Sequence, residues 1–309
     1  MLPIHFAPLQ GHTDDAFRRI HHQLVGGVAS YYTPFIRLEN GKLRSKEIRD
    51  IKPEWNTGVP VIPQVMAGDS KEFRMLVDHI AELGHYEHID INMGCPFPLQ
   101  TRHGKGSGIL SHPDKVADVL GAIPQLIDEG KAKHFSLKMR LGQEQPDEWM
   151  QLIDTINKTP LEHVTIHPRI GTQQYKGEIF MDEFEKFASE CSHPIIYNGD
   201  IRTPEDITTI EQRFPNLAGV MIGRGLLARP SLAVEYATGE TWSEQRRLSL
   251  MREMHNQLFD HYKSIIPGEE QLLSKIRTFW EYAEDEIGRK NWKKLMKCGN
   301  LKNYIKNLP

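Results

Sequence analysis

The sequence predicts an α/β protein: a (β/α)8 TIM barrel followed by a small all-helical C-terminal domain. Eight short β-rich segments recur over about the first 230 residues, with helical patterns between them, and the strand signal stops after about residue 240. A doubly wound open sheet is the alternative, but it does not require eight units. We therefore assign residues 1–240 to the barrel and residues 241–309 to the helical domain. The eight segments are 5–8, 28–34, 61–66, 86–92, 134–140, 163–169, 194–200 and 218–225.

Two of the intervening helices have clear signals at their ends. In residues 69–84, Asp69 and Glu72 form a capping pair, and apolar residues then repeat at helical spacing. Residues 203–214 begin with Thr203 followed by a proline at the first helical position. Both segments are therefore predicted to be helices between barrel strands.

Composition indicates an ordinary globular protein. Hydrophobic residues make up 39% and charged residues 26% of the chain. No apolar run approaches the roughly 20 residues that cross a bilayer, and the N-terminus lacks the layout of a signal peptide. The three cysteines are far apart and odd in number, which favours neither a disulfide framework nor a zinc ribbon. We expect a cytoplasmic monomer with no membrane and no metal.

The charge distribution carries more information than the net charge of −3. Residues 289–306 contain seven lysines and arginines, and no acidic residue follows Glu286. A basic tail of this kind fits contact with phosphates, and it fits a solvated helix face equally well.

Polar residues follow nearly every predicted strand at its C-terminal end. The active site of a barrel lies at that end, and a purely structural barrel would not need a polar group at each strand mouth. The pattern therefore predicts a ligand site. Its residues are Gln10, Arg37, Gln64, Asn92, Cys95, Lys138, Arg140, His167, Arg169, Asn198 and Arg224.

The last two strands predict a phosphate site. Gly199 lies between Asn198 and Asp200, and Arg224 follows Gly223. Loops after strands seven and eight form the usual phosphate cradle of this fold. Glycine lets backbone N–H groups approach phosphate oxygens, and an arginine adds a bidentate donor. These motifs favour a phosphate-bearing cofactor over plain tight turns.

Two further residues are open to more than one interpretation. Lys138 in LKMRLG would point into the barrel mouth, where a positive charge stabilises the anionic form of a reduced flavin. It would otherwise be an exposed lysine at a strand end. His167 in TIHPR is a cofactor contact or a hydrogen-bonded core histidine.

The segment INMGCP places Cys95 on a stiff turn between glycine and proline. A free thiol has a pKa of about 8.5, so it holds its proton near neutral pH, as a general acid must. A nucleophile would need a depressed pKa and a base, and local spacing provides no Cys–His pair. We therefore favour a general acid, although the turn alone is equally compatible with a buried filler.

Motifs along nearly the whole chain resemble those of the bacterial tRNA-dihydrouridine synthase family. In this family FMN, reduced by NADPH, reduces a D-loop uridine of tRNA to 5,6-dihydrouridine. The compact helical tail is most similar to the type that acts at the first D-loop uridine, the tRNA-dihydrouridine(16) synthase type. The motifs are APLQGHTD, NMGCP, LKMRLG, IHPR, YNGDI, GVMIGRG and, in the tail, SKIRTFW.

The resemblance implies roles for these residues and makes 1–240 the FMN-binding catalytic domain. Hydride would pass from the reduced flavin to C6 of the uracil, and Cys95 would give a proton to C5. The flavin ring would rest against Pro8, Leu9 and Gln10, with Gln64 and Lys138 at its edge. The ribityl chain and phosphate would be surrounded by His167, Asn198, Gly199, Asp200, Gly223 and Arg224.

The same resemblance implies a tRNA surface, with 241–309 as the tRNA-binding domain. The uridine has to leave its stacked surroundings to reach a flavin in the barrel mouth. Asn92 and Arg140 would hold the base. The remaining candidates for tRNA contact are Arg37, Arg169, Lys275 and Arg277.

The chain departs from the family pattern at several positions. Phe97, Pro98 and Leu99 follow Cys95-Pro96, where the family commonly has a nearby lysine. Thr33 precedes a proline rather than the family's glutamate, and His167-Pro168-Arg169-Ile170 replaces His-Gly-Arg-Thr. These positions bear on RNA and base contacts, so the target uridine stays open.

Three other functions compete with this interpretation. An FMN barrel that reduces a free pyrimidine, as dihydroorotate dehydrogenase does, would share the phosphate loops but would not need the basic tail. A tRNA-binding protein without turnover would keep the barrel and lose the chemistry. An aldolase would use Lys138 as a Schiff base.

Overall fold

The barrel strands follow the predicted segments. The computed structural model describes residues 1–84 and 86–309. Its main sheet contains nine parallel strand segments, of which the third predicted strand contributes two. The predicted (β/α)8 barrel is confirmed. The strands are β1 (Ile4–Phe6), β2 (Ser30–Tyr32), β3 (Val61–Ile62 and Gln64–Val65), β4 (His88–Met93), β5 (His134–Gly142), β6 (Val164–Ile170), β7 (Ile195–Tyr197) and β8 (Gly219–Ile222).

β3 closes the barrel although Pro63 interrupts it. Proline has no backbone N–H to donate, so the strand divides at this residue. The segment before Pro63 pairs with β2, and the segment after it pairs with β4. The carbonyl oxygen of Pro63 still accepts a hydrogen bond from the backbone N–H of Asp90, at 2.9 Å. The ring is completed by pairing of β1 with β8.

Helices surround the strands, and both helices predicted from end signals are present. The side chain of Asp69 accepts from the N–H of Glu72 at 2.8 Å, and Thr203 forms a capping box with Asp206. A short hairpin, Leu38–Glu39 with Lys42–Leu43, was not among the predicted elements. The helices of this part are α1 (Asp15–Leu24), α2 (Ser45–Ile51), α3 (Ser70–Leu83), α4 (Pro98–Thr101), α5 (Pro113–Gly121), α6 (Ile123–Asp128), α7 (Ile153–Lys158), α8 (Met181–Glu190), α9 (Pro204–Arg213), α10 (Arg224–Ala228) and α11 (Leu232–Thr238).

The rest of the chain is helical and packs against α1. The hydroxyl of Tyr262 lies 2.9 Å from both carboxylate oxygens of the α1 N-cap Asp14, and the Lys275 ammonium lies 2.9 Å from Oδ2. In the described part of the chain no helix is long and apolar enough to cross a membrane. The helices here are α12 (Glu244–Ile265), α13 (Glu269–Arg277), α14 (Glu284–Ile287), α15 (Arg289–Met296) and α16 (Leu301–Lys306).

The strands separate two cores of different character. Tyr31 belongs to the large apolar core between sheet and helices, whereas its neighbour Tyr32 belongs to a small cluster on the other face. Because side chains alternate along a strand, this second cluster lies inside the barrel. Polar side chains are also fully buried on these strands, including Gln64, Asp90 and Ser136. The barrel interior below the site is therefore partly polar.

Candidate active site

A cleft of about 280 Å³ opens at the C-terminal ends of the barrel strands. A separate cavity between Phe17, Tyr262 and Phe279 is about 10 Å³, too small for a cofactor. The cleft is close to the lower limit of small-molecule sites, about 300–1,000 Å³. Thirteen of the predicted site residues line it: Pro8, Leu9, Gln10, Asn92, Cys95, Lys138, Arg140, His167, Asn198, Gly199, Asp200, Gly223 and Arg224.

Cys95 lies at the cleft on a turn that is held from both sides. The side-chain oxygen of Asn92 accepts hydrogen bonds from the N–H groups of Cys95 and Gly94, at 2.9 and 3.1 Å. The N–H of Ser107 donates to the carbonyl oxygen of Cys95 at 2.9 Å. Gly106, at φ +58°, passes so close that a Cβ there would lie 2.4 Å from that oxygen. Burial raises the pKa of the Cys95 thiol, so the sulfur carries its proton at neutral pH.

Two cations of β5 face the same cleft. Lys138 has no hydrogen-bond or ion-pair partner within residues 1–84 and 86–309, and burial lowers its pKa to about 8. The guanidinium of Arg140 donates from Nε to the carbonyl of Gly94 (2.8 Å) and from Nη1 to that of Ile170 (2.9 Å). Its Nη2 is buried and unpaired among the described residues. The Lys138 ammonium and this nitrogen of Arg140 are therefore donors without acceptors at the cleft.

An arginine–carboxylate cluster lies at the ends of β6, β7 and β8. Arg169 donates through both terminal nitrogens to Asp200, and Arg224 donates to the same carboxylate at 2.8 Å. Burial opposes the charge of Asp200, but the two arginines hold its pKa below the ordinary value. Arg169 Nη1 also lies 3.3 Å from Nε2 of His167. Arginine can only donate, so His167 accepts at Nε2 and carries its proton on Nδ1.

Glycine is required beside this cluster. A Cβ on Gly225 would lie 2.1 Å from the carbonyl oxygen of Ile201, closer than any real contact. The short helix α10 begins with Arg224 immediately after Gly223. The close approach of the segments that follow β7 and β8 therefore depends on Gly225.

Five predicted site residues do not line the cleft. The Gln64 side chain is fully buried and bonded to Asp90 and Asn92, and Arg169 lies behind Asp200. Arg37 is half-buried beyond β2. The other two contact protein acceptors: Lys275 binds Asp14 and the carbonyl of Gly11, and Arg277 binds the carbonyls of Met296 and Cys298.

The cleft also contains residues that sequence reasoning did not select. Tyr175 places its ring 5.5 Å from the Arg140 guanidinium and 5.1 Å from that of Arg224. A lone aromatic in the polar stretch GTQQYKGE was the available signal. The C-terminal part contributes Glu281 and Tyr282, for which no local pattern pointed to the cleft. Further aromatic-ring side chains that line the cleft and were not selected are those of His12, Phe35 and Phe97.

Comparison with known proteins places these features in a family. The model of the dihydrouridine synthase (Dus) family matches residues 5–307. The chain is 28% identical to the probable tRNA-dihydrouridine synthase 2 of Bacillus subtilis, over 83% of this chain and 78% of that protein. It is 26% identical to the tRNA-dihydrouridine(16) synthase of Shewanella oneidensis, with 84% and 85% covered. It is 28% identical to the probable tRNA-dihydrouridine synthase of Treponema pallidum, with 94% and 86% covered.

A solved structure shares the fold. A morphinone reductase mutant in complex with tetrahydroNAD superposes with a TM-score of 0.53 at 9% identity, covering 77% of this chain and 87% of the other. At this identity the likeness concerns the fold alone. The family model spans almost the whole chain, including Cys95, Lys138 and Arg224. The chain is a member of the dihydrouridine synthase family.

Proposed function

We propose that this protein is a tRNA-dihydrouridine synthase that uses FMN and NADPH to reduce a D-loop uridine. The observation that carries the proposal is the composition of the cleft, where a protonated thiol at Cys95 and an unpaired ammonium at Lys138 line the same space. Family membership and the relatives named tRNA-dihydrouridine synthase support the reaction and the substrate. A cytoplasmic, monomeric enzyme stays our prediction.

The charges of the cleft residues support FMN as the cofactor. Lys138 and the free Nη2 of Arg140 are donors without acceptors in the described chain, as expected if an anionic or carbonyl-bearing ligand completes the site. Arg224 and the glycine-dependent approach at Gly225 would accommodate the phosphate. Pro8, with its neighbours Leu9 and Gln10, would form the wall against the ring.

Cys95 would act as the acid of the reaction. When bound, FMN would supply the hydride that adds to C6 of the uracil, with NADPH as the source of electrons. Negative charge then develops at C5, and a group that still holds its proton must quench it. Burial keeps the thiol of Cys95 protonated, and Asn92 fixes the turn that carries it. Arg140 would hold a uracil carbonyl through its unpaired nitrogen.

A macromolecular substrate is supported by the surroundings of the cleft. Phe97 and Tyr175 line the cleft with 52% and 41% of their surfaces exposed, so both aromatic side chains are accessible to a ligand. Nucleobases stack on such side chains with about 1–3 kcal/mol per base. The basic residues of 289–306 are exposed and would contact phosphates. We propose a D-loop uridine as the target, with position 16 as the first candidate.

The experiment that tests the proposal uses the purified protein and tRNA from cells that lack its gene. We expect a yellow protein whose extracted cofactor is FMN, bleaching of the colour by NADPH, and formation of dihydrouridine at a single D-loop position. A colourless protein that cannot be loaded with FMN would refute the cofactor. Reduction of free uracil or orotate with unchanged tRNA would favour a free-pyrimidine reductase.

A further inference from the structure

A chain of hydrogen bonds runs through the barrel interior and ends at the turn of Cys95. The hydroxyl of Ser136 donates to Oδ1 of Asp90 at 2.6 Å. Gln64 Nε2 donates to Oδ2 of the same carboxyl group at 2.7 Å, and Asn92 Nδ2 donates to Gln64 Oε1 at 2.7 Å. The remaining oxygen of Asn92 accepts from the N–H of Cys95 at 2.9 Å. The four side chains come from three adjacent strands, and two of them, Gln64 and Asn92, connect Asp90 to the turn of Cys95.

The side chains of this hydrogen-bond chain are shielded from water, so water cannot replace their hydrogen-bond partners. Asp90, Gln64 and Ser136 are fully buried, and Asn92 is 8% exposed. A buried donor or acceptor that loses its partner costs about 1–3 kcal/mol. Each amide is therefore confined to the orientation in which both of its ends are satisfied.

The carboxyl group of Asp90 determines that orientation. Gln64 must present its nitrogen to Oδ2, so its oxygen faces Asn92, and Asn92 must then present its own oxygen to the backbone of the turn. If Gln64 were reversed, two amide nitrogens would face each other and one amide hydrogen would have no acceptor. The backbone N–H groups of Gly94 and Cys95 need an acceptor, which this order provides.

The arrangement holds in both protonation states of Asp90. Burial raises its pKa to about 7, against the opposing effects of the bonds from Ser136 and Gln64 and of the Lys138 charge. A proton on Oδ1 would be donated to the Ser136 hydroxyl, which lies 2.9 Å from Nε2 of His88. Oδ2 accepts from Gln64 either way, so the amide order does not depend on the charge.

We propose that Asp90 is a positioning residue for the reaction, which through Gln64 and Asn92 fixes the turn that carries the Cys95 thiol. The step from this geometry to turnover rests on the proposed function. Asp90 touches neither the cleft nor the thiol, and it acts only through the two amides. Its role is that of an acceptor rather than of a charge.

Four variants separate the acceptor role from the charge and from general packing. Asp90→Leu and Gln64→Met cut the chain at adjacent links. Asp90→Asn is the conservative variant, because its amide oxygen can still accept from Gln64 while its nitrogen donates to Ser136. Ser136→Ala removes the other hydrogen bond of the same carboxyl group and leaves the link to Gln64 intact. This last variant is the matched control for a buried polar deletion.

The first readout is the rate at which iodoacetamide alkylates Cys95, measured on the intact protein by mass spectrometry of the Cys95 peptide. We expect the two chain-cutting variants to react about fivefold faster or more, because a turn without its anchor opens more often. Asp90→Asn and Ser136→Ala should stay within about twofold of the unaltered protein, because both keep the acceptor for Gln64. The second readout is uridine reduction, where kcat should fall about 100-fold in the cutting variants, with KM changed less, as for a displacement of about 1 Å.

The outcomes distinguish this inference from the proposed function. Equal alkylation rates in all four variants would overturn the positioning role, whatever happens to turnover. If Asp90→Asn reduces uridine slowly and its Cys95 is alkylated as fast as in Asp90→Leu, the acceptor role is overturned, and the charge of Asp90 fixes the turn instead. If Asp90→Leu does not fold, Gln64→Met decides. If no protein, including the unaltered one, forms dihydrouridine but alkylation follows the expected pattern, the proposed function fails and the positioning role stands.

Discussion

Replacement of Arg224 by methionine tests whether the loops after β7 and β8 bind a phosphate. In the structure the Arg224 guanidinium is oriented by Asp200 at 2.8 Å, and the side chain lines the cleft. Methionine keeps the length and packing of the stem and removes the donors. Arg169 continues to neutralise Asp200, so no carboxylate is left without a cation.

The expected loss follows from the exposure of the side chain. A hydrogen bond to a charged group contributes about 1.5–3 kcal/mol, and Arg224 is 30% exposed, which places it at the lower end, about 1.5–2 kcal/mol. Since each 1.4 kcal/mol is a factor of ten, Kd for FMN should rise about 10- to 30-fold.

The assay is titration of FMN into protein from which the cofactor has been removed, followed by quenching of flavin fluorescence. Arg213→Met is the matched control, because Arg213 is exposed on α9 and pairs with Glu185 at 3.3 Å, away from the cleft. Binding of riboflavin, which has no phosphate, should be equal in the variant and the unaltered protein. An unchanged Kd for FMN in Arg224→Met would refute the phosphate assignment.

Three further predictions concern the turn, the tail and the histidines inside the barrel. Gly106→Ala should slow uridine reduction about tenfold or more while FMN stays bound, because the new Cβ meets the Cys95 carbonyl at 2.4 Å and displaces the turn. Gly121→Ala, where a Cβ meets nothing within 4 Å, is its control, and equal rates would contradict the reasoning. Replacing the three lysines of 293–297 by glutamine should weaken tRNA binding and reduce its salt slope by about 0.7–0.9 per lost phosphate contact; an unaltered slope means that RNA docks elsewhere. Burial lowers the pKa of His5 and of His88 to about 4, so the unfolded chain binds more protons between pH 6.5 and 4, and the free energy of unfolding should fall as the pH falls through that range. In His88→Gln the fall in the free energy of unfolding between pH 6.5 and 4, measured by urea unfolding, should be smaller by about 2 kcal/mol. An equal fall in the two proteins would contradict a lowered pKa of His88.

The barrel could be predicted from the sequence because local residue patterns determine where each strand and helix forms. Alternation around Tyr31 and Tyr32 places successive side chains in different cores, and the helix from 70 to 83 begins at the cap that Asp69 provides. The division of β3 at Pro63 follows from the missing N–H, although the sequence does not reveal that both halves keep separate partners. Local patterns therefore determine the strands and helices, whereas closure of the barrel depends on pairing between segments that are distant in the sequence.

The sequence predicted a cleft at the strand ends. This prediction missed the lining residues that tertiary packing brings there from distant parts of the chain. Tyr282 reaches the cleft from the turn before α14, more than fifty residues beyond the last strand, so no strand-based rule could find it. Gln64 was selected for its position at a strand end, and its side chain is instead buried against Asp90. That bond links residues 26 positions apart, and such a distance carries no signal in a single sequence.

The most direct test of the account is dihydrouridine formed in tRNA by the purified protein with NADPH, quantified by mass spectrometry for the unaltered chain and for Cys95→Ala. We predict that the variant keeps its FMN and forms dihydrouridine at least about 100-fold more slowly, as loss of the acid requires. Equal rates in the two proteins would contradict the claim that the thiol of Cys95 completes the reaction.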